Sequence, residues 1–191
     1  MFTNDDKKAL LGSWRLVVPI ADTAADLFYK RLFELRPEYR ELFPEDMSGQ
    51  KRKLLKMLAF IVKSLDWSDE QWKEDVAPNE DLMLVVLAMG RRHTTLYRVP
   101  EESYGVVGEA LMWTLDYGLG EAFTPTVRSA WARLYTYVAT AMRMGGAAIQ
   151  PSSDIVSADE AQRHGTFALL SQQAEAGIDE ERLGLPREEL S

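Results

Sequence analysis

Apolar residues recur at helical spacing along almost all of positions 4–144, and this most limits what the chain can become. Leu10, Leu11, Trp14, Val17 and Val18 form one apolar face, and Ala25, Phe28, Tyr29, Leu32 and Phe33 a second. Leu54, Met57, Leu58, Ile61, Val62 and Leu65 make a third, and Leu82, Val85, Val86 and Met89 a fourth that leads to His93. Val106, Val107, Leu111 and Leu115 follow, then Val127, Trp131, Leu134, Val138 and Met142. No segment alternates with a period of two, so strands are not needed. The reading is an all-α globule of six or seven helices.

Punctuation agrees with this pattern. Arg36-Pro37 ends the second face, because a residue before proline is driven out of the helical region. Pro100-Glu101-Glu102 reads as a helix start, with acids at the positive dipole end. Gly118 and Gly120 read as that helix's close. Thr124-Pro125 reads as a cap followed by a first-turn proline. Gly145-Gly146 reads as a stop. The expected division is a folded domain over 1–144 and an acidic tail over 145–191. The tail holds nine acids against three bases and one aromatic, Phe167, too little apolar surface to offset ordering, so it is expected to be mostly disordered. A short helix around 157–175 fits its SADE opening.

Composition removes several function classes. The chain has 191 residues, no cysteine and a net charge of −8. Disulfides, thiolate metal sites and cysteine nucleophiles are excluded. The folded part has no basic surplus, so nucleic acid is not an expected partner. No apolar run approaches the roughly 20 residues that span a bilayer, and MFTNDDKKAL lacks the pattern of a secretion signal. A cytoplasmic protein is expected.

Three polar side chains interrupt apolar faces. His93 shares a stripe with Val86 and Met89, Gln50 shares one with Leu54 and Leu58, and Tyr29 sits on the second face. A lone histidine at a helix end is ordinarily a surface residue that answers the helix dipole. Three polar groups aimed into an apolar interior need either one shared partner or separate backbone partners. The residues alone leave both open.

The strings LFYKRLFELRPEYRELF, SGQKRKLLKML, AMGRRHTTLYRVPEESYGVVGEALMWTL and SAWARLYTYVATAM, in that order over about residues 5–144, resemble a bacterial globin. The chain is most similar in this respect to single-domain globins and to the haem domain of flavohaemoglobins. The resemblance implies a globin fold of about seven helices around a pocket for haem b. It places His93 as the iron ligand, Tyr29 and Gln50 as donors to a bound gas, and Leu54 as the apolar residue above the metal. Pro37 matches the start of the short third helix and Phe43 the phenylalanine wedged against the porphyrin. Met89 and Val99 would line the proximal side, and Lys53, Arg91 or Arg92 would meet a propionate.

The implied function is reversible binding of dioxygen, carbon monoxide or nitric oxide at a five-coordinate iron, by a monomer or homodimer. Two alternatives remain beside it. One is nitric oxide dioxygenase activity with an external reductase, which the KRK cluster at 51–53 would dock. The other is a gas or redox sensor that signals through the tail. Three departures count against a self-contained enzyme. The length leaves no room for reductase domains, Thr126 stands where flavohaemoglobins carry a proximal glutamate, and Tyr104 lies one residue later than the proximal tyrosine. Trp14, Trp113 and Trp131 are expected in the core, with Trp67 or Trp72 covering the haem edge, and His164 has no assigned role.

Overall fold

Thr3 starts the first helix, α1 (Asn4–Val17), by a reciprocal exchange with Asp6. The Asp6 amide donates to Thr3 Oγ1 at 3.1 Å, and the Thr3 amide donates to Asp6 Oδ2 at 3.0 Å. Both donors would otherwise be orphaned at a helix N-terminus. The computed structural model describes residues 2–65, 80–95 and 100–147. A 3₁₀ turn at Val18–Ile20 leads into α2 (Ala21–Leu35), and Arg36 then leaves the helical region at φ −144°, ψ 86°, as Pro37 requires. A 3₁₀ segment, Pro37–Leu42, precedes α3 (Ser48–Lys63). After it come α4 (Glu80–Thr95), α5 (Ser103–Leu119) and α6 (Pro125–Ala147). The described residues hold six α-helices and no strand, as expected, and no helix among them is long and apolar enough to cross a membrane.

The largest packing surface joins α4 to α6; α2 lies on α5, and α1 on α6. Leu10, Trp14, Val17, Phe28, Leu32, Val62, Val86, Leu134 and Trp131 form the buried centre. Trp131 Nε1 donates to Ser13 Oγ at 2.9 Å, so the α1–α6 contact carries its own buried polar link. On its rim, Arg133 Nη2 donates to Asp6 Oδ1.

Several punctuation residues act differently from the expectation. The Pro100 carbonyl accepts the Ser103 amide at 3.0 Å, so 100–102 form a turn and α5 starts at Ser103. Gly118 lies inside α5, whereas Gly120, at φ 51°, supplies the left-handed residue that closes it. Thr124 does cap α6, accepting the Val127 amide at 3.3 Å. Gly145 and Gly146 do not stop α6, which runs on to Ala147 with both glycines buried. They are small for closeness. A Cβ on Gly145 would overlap the Leu87 backbone carbonyl, and one on Gly90 would overlap the Met142 carbonyl. Trp113 is only half-buried, stacked at 5.3 Å on exposed Tyr117. Trp67, Trp72, His164 and the tail from 148 lie outside the described residues.

Two outcomes follow for stability. Gly90→Ala forces α4 from α6 and is expected to cost about 1–3 kcal/mol or more, read by urea unfolding; an unchanged midpoint would show the helices can separate freely. The Asp6 carboxyl is held below its ordinary 3.8, chiefly by the Thr3 amide and also by Arg133. A depressed carboxylate stabilises the fold above its unfolded value and loses that contribution as pH falls through the folded one. Asp6→Asn is therefore less stable than the parent at neutral pH, and the two curves converge as acid protonates the folded Asp6 carboxyl, below its ordinary 3.8.

Candidate functional site

His93 lies in the last turn of α4. Its Nδ1 is 2.8 Å from the Met89 carbonyl oxygen, four residues earlier. A carbonyl can only accept, so Nδ1 carries the proton and Nε2 carries the lone pair. Burial pushes the imidazole pKa below its ordinary 6.5; the Met89 bond opposes this, and Arg92 adds to it. The ring is thus neutral at neutral pH, with the tautomer set by the backbone, the state a metal-ligating imidazole needs. The next two residues repeat the local pattern. Thr94 Oγ1 donates to the Gly90 carbonyl at 3.1 Å and Thr95 Oγ1 to the Arg91 carbonyl at 2.9 Å.

Tyr29 meets Gln50 at its main chain. Tyr29 is buried on α2, and its hydroxyl donates to the Gln50 main-chain oxygen at 3.3 Å. Burial raises the phenol pKa to about 12, against a hydrogen bond with Gln50 that lowers it, so the hydroxyl keeps its proton. Phe43 packs edge-on against Tyr29, and also against Phe33, with centroids 5.5 Å apart in each case. Arg40 was not singled out from sequence, yet it shapes this wall. Its guanidinium donates to the Phe43, Pro44 and Glu45 carbonyls at 3.0–3.2 Å. Asp46 accepts the Ser48 amide at 2.9 Å and anchors the start of α3. Lys51, from the KRK cluster, pairs with Asp26 and ties α3 to α2 a second time.

The apolar stripe on α3 divides. Leu55, Ala59 and Val62 are buried, whereas Leu54, Met57 and Leu58 remain half-buried. On α4, Val86 is fully buried while Val85 and Met89 remain half-buried. The two helices are supported separately, α3 by α1 and α2, α4 by α6. Two helices with partly covered apolar rows suit a flat apolar group. Among the described residues no cluster of three His, Asp or Glu is built to hold a bare ion. A single imidazole instead suits a metal that brings its own ring of ligands, so the residues fit haem.

The remaining expected residues divide as follows. Lys53 is exposed and Arg92 half-exposed, as groups facing a polar edge must be. Val99 lies outside the described residues. Tyr104 is engaged with α6: its carbonyl accepts the Tyr135 hydroxyl, and Arg143 lies 5.3 Å over its ring. Thr126 is exposed in the first turn of α6. The Met89 carbonyl was not foreseen, because a main-chain acceptor leaves no mark in a side-chain pattern. Nor was the buried bond at 2.8 Å from Ser103 Oγ to the Tyr39 hydroxyl.

Comparison with known proteins agrees with this geometry. A globin family profile matches residues 26–142. The chain is 32% identical over 148 residues to a neuroglobin of Chaenocephalus aceratus, covering 74% of this chain and 91% of that protein. It is 30% identical over 151 residues to a neuroglobin of Tetraodon nigroviridis, covering 76% and 92%. A Danio rerio neuroglobin is 30% identical over 156 residues. These relatives are fish proteins, and they do not carry the narrower comparison with bacterial globins and flavohaemoglobin haem domains. The chain belongs to the globin family.

Proposed function

We propose that the chain is a haem b protein that binds dioxygen and other diatomic gases reversibly at a five-coordinate iron. The observation that carries this reading is the His93 imidazole, neutral and fixed by the Met89 carbonyl so that Nε2 has the lone pair. Ferrous haem supplies the centre at which a diatomic gas binds and leaves. His93 holds it from α4. Phe43, Leu54 and Met89 provide apolar contact to the ring, and Lys53 and Arg92 meet its carboxylates. Tyr104, held by α6, backs the proximal side.

Tyr29 and Gln50 supply the donors toward the gas, the feature that supports a bacterial-type pocket. The Tyr29 hydroxyl bond to Gln50 is 3.3 Å long, well beyond the usual 2.7–2.8 Å for such a bond. The proton is therefore weakly committed and turns to a better acceptor at small cost. A phenol and an amide both stabilise negative charge that develops on a polarised gas. Thr126 offers no carboxylate from the position that carries a glutamate in flavohaemoglobins. This favours gas binding over a self-contained dioxygenase. Mixing the oxygenated protein with nitric oxide and following nitrate, with and without an added reductase, separates the two.

His93→Ala is expected to abolish hemin retention; a variant with full occupancy and the parental Soret spectrum would refute the ligand assignment. Tyr29→Phe is expected to speed oxygen release roughly tenfold or more, since one hydrogen bond to a charged acceptor is worth about 1.5–3 kcal/mol. In the parent the release rate should stay flat from neutral to about pH 10, because the phenol titrates near 12. An unchanged off-rate in the variant would show that Tyr29 does not serve the gas.

A further inference from the structure

The last turn of α6 touches the stretch of α4 that carries His93. Gly90 has no Cβ, so the Met142 backbone lies directly against it. Gly145 lies against the Leu87 carbonyl in the same manner. Gly146 faces Thr94: a Cβ there would collide with Thr94 Oγ1, come within 3.3 Å of Thr94 Cβ and lie 3.6 Å from the Gly90 carbonyl oxygen. That same Thr94 hydroxyl donates to the Gly90 carbonyl. One residue away, His93 Nδ1 donates to the neighbouring carbonyl, Met89. Side-chain donation to a carbonyl already used by the helix bends the turn that contains it.

We propose that Thr94 and Gly146 are positioning residues for the His93 imidazole: the Thr94 hydroxyl, held between the Gly90 carbonyl and the bare Cα of Gly146, fixes the final turn of α4 and with it the orientation of Nε2. This rests on His93 being the iron ligand. Neither residue touches the haem. Both act through the backbone of residues 89–94, which α6 braces from behind. The strength of the axial bond is therefore set partly by the end of α6, at the point where the chain continues into residues 148–191.

The test uses the full chain loaded with hemin. The readouts are the iron–imidazole stretching band of the reduced, gas-free protein and the rate of hemin transfer to an apoprotein acceptor. Gly146→Ala displaces the Thr94 hydroxyl and should shift the band and speed hemin loss at least several-fold. Adding Thr94→Ala removes the overlap but also the hydroxyl, so the band should stay shifted, as in Thr94→Val. Thr94→Val keeps the volume, deletes the bond to Gly90 and should shift the band even if Gly146→Ala folds poorly. Thr136→Val is the control. It deletes an equivalent bond from a hydroxyl to a carbonyl, Thr136 to Ala132 on the exposed side of α6, and should leave the band in place. An unchanged band in Gly146→Ala and Thr94→Val overturns the proposal, as does an equal shift in Thr136→Val. A parent chain that takes up no hemin overturns the haem reading as well, so the two failures are distinct.

Discussion

The missing Cβ at Gly90 sets the geometry on which the rest depends. Ordinary helix pairs stand about 8–10 Å apart because side chains separate them. At Gly90 and Gly145 the backbones of α4 and α6 meet directly, which ties the imidazole helix to the longest helix among the described residues. The other apolar wall has a different foundation. Helix α3 rests on α1 and α2, with Tyr29 and the Lys51–Asp26 pair as links. Each wall is held from behind by its own support. A slot for the proposed haem between them would thus keep its apolar faces only partly covered without collapsing.

Polar groups in the interior fall into two kinds. Tyr39 is bonded by Ser103 at 2.8 Å, Trp131 bonds Ser13 at 2.9 Å and Thr114 bonds the Ala110 carbonyl at 2.8 Å. These are short and complete, as buried polar groups require. Tyr29 is as deeply buried, yet its bond to Gln50 is 3.3 Å. The difference in length separates phenols that complete the architecture from Tyr29, whose spare capacity would serve the ligand under the proposed function. Trp14 Nε1 is also buried without a hydrogen-bond partner; it belongs to the opposite, α1–α6 side, where it packs on Trp131.

Much of this was legible in the sequence, for definable reasons. Helical spacing located the buried faces, since Leu10, Trp14, Phe28, Leu32 and Trp131 must all leave water. The break at Arg36-Pro37 and the cap at Thr124 follow from local sterics and hydrogen bonding, which neighbours in sequence decide. The glycines were less readable. The same residue serves as a helix stop at Gly120 and as a point of helix contact at Gly145 and Gly146, and only the partner helix tells them apart. The α3 stripe was read as one face, yet Leu54 and Leu55 fall on different sides of a wide apolar arc. In the site, Tyr29, Gln50 and His93 stood out as polar interruptions. The Met89 carbonyl and the Arg40 staple did not, because both act on main-chain oxygens.

The two shifted groups in the site point the same way. Burial lowers the His93 pKa and raises that of Tyr29. One is a base and the other an acid, so the same cause keeps both uncharged near neutrality. A formal charge inside an apolar slot would need a paired counter-charge or bear a large desolvation cost. The walls avoid this by using only neutral donors and a neutral ligand. The cation Lys53 is exposed and Arg92 half-exposed. An uncharged interior with a cationic rim matches a planar group that is apolar across its faces and anionic at one edge. Under the proposed function, the polarisation of an incoming gas would be met by hydrogen bonds that can form and break, rather than by fixed charges that would hold it permanently.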